Sequence, residues 1–437
     1  MRLDIEQVID GARLGPLHWR VLFLCALVTL LDGYDIQAMA AATPTLAADW
    51  HVPPSDLRWI ITAALVGIAG AALIVSPLGD YFGRRSVLLS SFALVGIATL
   101  LAARSHDATE LFTWRLLTGI GLGASLPNAL ALTAEYAPSR SRTMLVALMA
   151  CGISLGAAAS AYIAPPVIEL GGWRAVFGVG GALAVLAWFP LLALPESLRF
   201  LVARGSDPSR IGRLLEKLDP DHRHTDDHLY SMERRPDGKL SVSELLTPQL
   251  APATLLLWLV FFLNLGLLYL LSSWLPTLLK ESGLPLATAL RESGMFQLGG
   301  VLGGFLLAWL MQRWGPYIVL SISYLLTAIA LAVLGAGVPG AALTSLLIAI
   351  MGNGVVGGQV ALNVLSATLY PTTARATGVG WALGMGRFGG IIAPLAAGQL
   401  MAAGIPTGQL FWLAIVPALI CAGGVALLRS KVSVQLA

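Results

Sequence analysis

"YFGRRSVLL" occupies residues 81–89, and "RWGPYIVLS" occupies residues 313–321. Each follows a long apolar run, and the pair aligns Gly83 with Gly315, an offset of 232. A second pair repeats the relation. "YAPSRSRT" (136–143) and "LYPTTARA" (369–376) align Pro138 with Pro371 and Arg142 with Arg375, each at an offset of 233. Two separate motifs with nearly the same offset mark a chain built from two copies of one unit.

The composition says what surrounds these units. Of 437 residues, 57% are hydrophobic and only 12% charged, with a mean hydropathy of +0.78. Soluble domains carry about 25% charged residues, so this stock cannot cover a water-facing surface. The apolar residues recur in blocks of about 20, the length that crosses a hydrocarbon core of roughly 30 Å. The first block is too long for a signal-peptide core and lacks a clear small-residue cleavage site, so it reads as a retained helix. The pattern predicts twelve helices, at 18–42, 57–78, 86–103, 109–131, 143–168, 173–194, 252–279, 291–313, 316–335, 340–364, 376–402 and 407–428. The fold class is all-α membrane protein. The domains read as a six-helix bundle over 1–194, a polar central loop over 195–251 and a second six-helix bundle over 252–437.

Positive charge sets the expected orientation. The even-numbered loops and both tails hold 20 Lys and Arg residues, against 5 for the odd-numbered loops. Both termini and the central loop are therefore expected in the cytoplasm. Cys25, Cys151 and Cys421 fall inside apolar blocks and give no disulfide or metal framework. The loop stretch "DPDHRHTDDH" (219–228) has metal-ligand residue types, but at that density it reads as a solvated acidic-basic loop. With no phosphate loop, nucleotide motif or catalytic triad in view, no enzyme, cofactor or nucleic-acid partner is expected. A monomer in the lipid bilayer is.

Asp32 and Asp35 lie inside the first apolar run. Each should oppose insertion by roughly 2.5–3.5 kcal/mol at mid-helix. Three residues apart, they project from nearly the same face. Arg115, in the fourth helix, should lie at a similar depth, so an Asp–Arg network is expected in the outer part of the N-terminal half. One acid would suffice to lock one Arg. Two neighbouring carboxylates away from water resist both being charged, so one of the two is read as a proton carrier, and Asp32, Asp35 and Arg115 together are read as the proton-coupling set. Arg387 lies about 11 residues into the eleventh helix, and its repeat mate is Ser154. The C-terminal half is read as holding no acid within its helices. A lone central Arg then calls for an anionic ligand, and a carboxylate matches its planar fork. Asn264, Gln297, Asn353, Gln359 and Asn363 are further polar candidates, with Asn353 and Gln359 favoured because "GNGVVGGQ" (352–359) permits close approach or bending. Trp381, Phe388 and Tyr324 are candidates to stack on a ring.

These residues also carry a resemblance. "SPLGDYFGRR" (76–85), "RLLTGIGLG" (115–123) and "PESLRFL" (195–201) resemble signature stretches of the major facilitator superfamily, across essentially the whole chain. Ser76 stands where that family usually has Gly, and Tyr81 where it often has a basic residue. "GISLGAAAS" (152–160) lacks the Gly-Pro centre associated with its antiporters. A narrower resemblance rests on "DGYD" (32–35) and "YPTTARATGVGWALGMGRFGGIIAP" (370–394), which look like the bacterial aromatic acid:proton symporters. It implies the major facilitator fold, a bacterial inner-membrane location, and import of a small aromatic acid such as a hydroxybenzoate with protons. The paired aspartates map onto Asp32 and Asp35, and the helix-11 arginine onto Arg387. Asp80, Arg84, Arg85, Glu135 and Arg142 are read as a latch between inward- and outward-open states, weaker in the second half, where Gln312 replaces Asp80. The alternatives are a symporter or uniporter of another small organic anion. An intramembrane aspartyl protease would need its two aspartates on different helices.

Overall fold

The computed structural model describes residues 2–218, 229–231, 245–248, 250–370 and 375–433. The stretch 219–228 and Pro371 lie outside them. Among the described residues, eleven helical stretches are long and apolar enough to cross a membrane. One of them, Ser139–Leu191, breaks where Gly171 and Gly172 leave helical geometry, which yields two helices and a total of twelve. These are α1 (Pro16–Asp49), α2 (Arg58–Ile74), α3 (Arg84–Ala102), α4 (Ala108–Tyr136), α5 (139–170), α6 (173–191), α7 (Ala251–Glu281), α8 (Leu286–Trp314), α9 (Pro316–Ala336), α10 (Ala341–Leu369), α11 (Arg375–Ala402) and α12 (Thr407–Ser433). Helix satisfies every backbone group within its own segment, which lipid requires. Large apolar side chains accordingly point outward, with Leu73 72% and Leu302 71% exposed.

Two compact units emerge from the packing. The first joins residues 1–35, 63–156 and 177–237; the second joins 36–62, 157–176 and 238–437. The second unit thus contains parts of α1, α2, α5 and α6 as well as the C-terminal helices. Within the first unit α1 and α5 cross at backbone contact. A Cβ on Gly33 would collide with the Ile153 carbonyl, and one on Gly156 with the Leu30 carbonyl. Thr29 Oγ1 donates to the Met149 carbonyl at 2.8 Å beside this crossing. The glycines of "RLLTGIGLG" serve packing as expected: Gly119 and Gly123 abut Ala64 and Ile68 of α2, and Gly121 abuts α3. These crossings fix Asp32, Asp35 and Arg115 in place.

Three expectations are corrected. α1 runs to Asp49 rather than 42, because Pro44 is accommodated inside the helix. The central segment, read as a polar loop, carries regular structure in its described parts. Helices Leu198–Ala203 and Pro208–Leu218 bury Leu198, Leu201, Ile211, Leu215 and Leu218, and strand Leu229–Ser231 pairs in parallel with Arg2–Asp4. The C-terminal half also holds an acid within its helices. α8 starts at Leu286, which carries Glu292 inside, buried and accepting a hydrogen bond from Ser345 Oγ at 2.6 Å. In α10 a π-helical turn spans Asn353–Gly357, within the glycine-rich stretch flagged above.

Candidate functional site

The first cluster lies in the first unit. Arg115 is 1% exposed and Asp35 3% exposed. Arg115 Nη1 donates to both carboxylate oxygens of Asp35, at 2.7 and 2.9 Å. Thr99 Oγ1 donates to Asp35 Oδ1 at 3.3 Å and lies 3.5 Å from Thr118 Oγ1. The guanidinium also sits over the Phe177 ring, 5.5 Å from its centroid. α1, α3, α4 and α6 thus converge on one ion pair, and the partner expected for Arg115 is found. Asp32 behaves differently. It is also 3% exposed, but it forms no ion pair among the described residues, and its buried Oδ1 has no hydrogen-bond partner. One helical turn on the same helix therefore separates a compensated carboxylate from an uncompensated one.

Arg387 lies on α11 in the second unit. It is half-buried and forms no ion pair with any described residue. Its neighbourhood is set by close packing of α11 on α7. Gly386 admits the Leu265 side chain, and Gly389 lies against the Phe262 carbonyl. Glu292, the acid missed in this half, is engaged by Ser345 rather than by Arg387.

The other polar candidates separate into groups. Asn264, fully buried on α7, donates through Nδ2 to the Val355 carbonyl at 3.3 Å and to Gln359 Oε1 at 2.8 Å. Tyr324, fully buried on α9, donates to Asn264 Oδ1 at 2.9 Å. Gln359 Nε2 donates to Asn363 Oδ1 at 3.1 Å. Gln359 and Asn363 are half-buried. Asn353 stays outside this set: it packs on Gly303, and its Oδ1 has no partner. Gln297 donates to Ser272 at 3.1 Å. Burial removes Tyr324 from the candidates for ring stacking. Trp381 and Phe388 are exposed, and Trp381 stacks on Trp258 at 5.8 Å.

The charge set expected as a latch is assembled in part. Arg84 pairs with Glu135 at 2.6 Å and with Asp80 at 3.4 Å. Arg85 uses its backbone N–H to reach Glu196 Oε1 at 3.0 Å and its guanidinium to reach the Leu192 carbonyl at 2.8 Å. Ser197 Oγ donates to Glu135 at 2.5 Å. Glu196 and Ser197 were not singled out from the sequence, although both lie in the quoted "PESLRFL". Arg142 is not in this set; it lies 3.7 Å from Asp10 instead. Gly83 is constrained twice over, with φ of +94° and the Glu196 carboxylate where a Cβ would sit.

Comparison with known proteins places the chain in a family. Residues 25–394 match the family model for the Major Facilitator Superfamily. The chain is 37% identical over 434 residues to the 4-hydroxybenzoate transporter PcaK of Pseudomonas aeruginosa, covering 99% of this chain and 97% of that one. It is 36% identical over 450 residues to a gallate transporter of Pseudomonas putida, covering 99% and 97%. Among solved structures, a D-xylose-proton symporter superposes with a TM-score of 0.71 at 18% identity, over 92% of this chain and 96% of that one, a likeness of fold. Signature stretches, twelve helices and these relatives lead to one assignment: the chain belongs to the major facilitator superfamily, in the branch that holds these aromatic-acid transporters.

Proposed function

We propose that the protein is a secondary active transporter that imports an aromatic carboxylate together with protons, by alternating access of its two six-helix halves, 1–194 and 252–437. The observation that carries this reading is the charge balance among the embedded groups. Asp35 and Arg115 compensate each other, whereas Asp32 has no cation and Arg387 no anion among the described residues. A bare charge away from water is costly unless it is paired or neutralised. A proton neutralises Asp32, and the carboxylate of a substrate compensates Arg387. The two cargoes of a symporter are thus the two species this arrangement lacks. The relatives named for 4-hydroxybenzoate and gallate support an aromatic acid as the anion.

Asp35 then has a structural part to play, holding α1 to α4 through Arg115 while Asp32 loads and releases the proton. Gln359 contributes polar contacts to the substrate, and Asn353 is the weaker candidate. Asp80, Arg84, Arg85 and Glu135, with Glu196, form the latch of the N-terminal half. The location is the bacterial inner membrane with both termini and the 195–251 segment cytoplasmic, as the 20-to-5 distribution of Lys and Arg supports. The protein works as a monomer.

The test is uptake of labelled 4-hydroxybenzoate and of other aromatic acids by proteoliposomes, with and without an imposed inward proton gradient. Accumulation above the outside concentration is expected only with the gradient. Uptake that never exceeds equilibration would make the protein a uniporter. Uptake of aliphatic dicarboxylates in preference to all aromatic acids would change the substrate.

A further inference from the structure

The string Tyr324–Asn264–Gln359–Asn363 has a direction, and the direction can be derived. A carboxamide presents an acceptor at one end and donors at the other, and the two ends look alike in shape. A backbone carbonyl can only accept. Asn264 lies 3.3 Å from the Val355 carbonyl, so that end of its amide is Nδ2. The opposite end, Oδ1, then accepts from the Tyr324 hydroxyl at 2.9 Å. Because Nδ2 also donates to Gln359 at 2.8 Å, the Gln359 atom there is the acceptor Oε1. Its Nε2 must therefore point onward, and it donates to Asn363 Oδ1 at 3.1 Å. Every amide oxygen in the string is engaged. At the open end the polar groups with no partner among the described residues are donors, the Asn363 Nδ2 group and one N–H of Gln359, while each amide oxygen already accepts one hydrogen bond.

The closed end is fully buried and the open end half-buried, so the donors lie where a ligand can reach them. Gln359 and Asn363, four apart on α10, share one face. The root of the string lies on α7, the helix that packs against α11 one residue before Arg387. Asn264 precedes Leu265, and Leu265 packs into the space left by Gly386, the residue before Arg387. The π-helical turn that contains Val355 is a feature that recurs at functional sites.

We propose that Asn363, oriented through Gln359 and Asn264 by Tyr324, is a specificity-determining residue that donates a hydrogen bond to an oxygen substituent on the ring of the substrate. This rests on the aromatic-carboxylate reading above and deepens it. Arg387 takes the carboxylate, and the amide end selects hydroxy- and alkoxy-substituted rings over rings with an apolar group of the same size. Asn363 and Gln359 touch the ligand; Asn264 and Tyr324 are positioning residues.

The experiment measures how well unlabelled 4-methoxybenzoate and 4-ethylbenzoate inhibit uptake of labelled 4-hydroxybenzoate by proteoliposomes, with the 3-substituted pair run in parallel. Methoxy and ethyl have the same heavy-atom count and differ in one acceptor. For wild type, the methoxy compound of at least one pair should inhibit about tenfold more strongly, the factor one well-made hydrogen bond provides. In Asn363→Leu the ratio should fall to about one while inhibition by the ethyl compound is retained. Tyr324→Phe removes only a hydroxyl and should lower the ratio without weakening the ethyl compound, an effect that a purely structural role would not produce. A wild-type ratio of one in both pairs, or an unchanged ratio in Asn363→Leu, overturns the proposal. Failure of the underlying reading looks different: wild type then takes up no labelled aromatic acid, and the proposal falls with it.

Discussion

Replacing Asp35 by Asn leaves the Arg115 guanidinium in place, at 1% exposure, facing a neutral amide. Removing one partner of a buried pair costs about 3–5 kcal/mol, because the remaining charge is still out of water. Arg115→Gln strands the carboxylate in the same way. Asp35→Asn/Arg115→Gln removes both charges and keeps hydrogen-bonding groups, so it should be no less stable than the worse single variant. The coupling energy should then be about 3 kcal/mol, the upper end for residues in contact. Thr99→Val provides an internal scale. Its hydroxyl reaches Asp35 Oδ1 at only 3.3 Å, and a hydrogen bond contributes about 0.5–1.5 kcal/mol net, so the cost belongs at the low end of that range. The assay is reversible unfolding in mixed micelles, followed by circular dichroism across the four proteins of the cycle. If the two single losses add to within about 0.5 kcal/mol, the contact at 2.7 Å carries no coupling and the view of this pair as a lock between α1 and α4 is wrong.

Asp32→Asn should abolish accumulation driven by a pH gradient yet retain exchange of labelled for unlabelled substrate; uphill uptake at the wild-type level would remove Asp32 as the proton carrier. Arg387→Ala should weaken equilibrium binding of the acid by at least tenfold, about 1.4 kcal/mol, with little change for the methyl ester, and Arg387→Lys should restore it only in part because an ammonium lacks the planar fork. Calorimetry that finds equal acid affinity in Arg387→Ala and wild type would move the anion site elsewhere. Gly83→Ala should slow transport several-fold or lower expression, since φ is +94° and the Glu196 carboxylate occupies the Cβ position; Glu196→Ala in the same chain should relieve the collision while leaving the backbone penalty of about 1 kcal/mol. A single cysteine at Ser231, in a chain whose three native cysteines are replaced, should resist impermeant thiol reagents in intact cells, and rapid labelling from outside would reverse the orientation.

The helices were legible because lipid leaves the backbone few options, so apolar length alone marks a span. The break between α5 and α6 was legible for the same reason: "GGW" (171–173) separates two runs each long enough to cross. Helix ends were less so. α1 passes through Pro44, because proline does not stop a helix whose neighbours satisfy the freed groups. An α1 aspartate and Arg115 could be paired from sequence because embedded opposite charges at matching depth seek each other. Which aspartate takes the arginine could not be read, since three residues on a helix turn both toward one side and only the α3 and α4 neighbours decide. Glu292 was missed because the start of α8 was placed five residues late, next to Arg291, where an acid looks like an end group. Asn264, Gln359, Asn363 and Tyr324 stood out in the sequence as embedded polar or aromatic residues, but their order in one string did not: amide contacts act at one bond length and depend on how three helices pack.

The two uncompensated groups also bear on coupling. In the proposed cycle, reorientation passes through a state closed to water on both sides, where a bare ion costs several kcal/mol more than a paired or neutral one. With the proton on Asp32 and the carboxylate on Arg387, neither group is bare. With only one cargo bound, one group remains bare, and a penalty of about 4 kcal/mol would slow that passage by roughly a thousandfold. The empty return, with both groups unloaded, then requires that water still reach both of them, or net symport would stall. Coupling in this scheme requires no contact between the proton and the substrate. It follows from placing Asp32 and Arg387 in the membrane without an ion-pair partner for either among the described residues, while the neighbouring Asp35–Arg115 pair shows that this chain can supply such a partner where a fixed structure is needed.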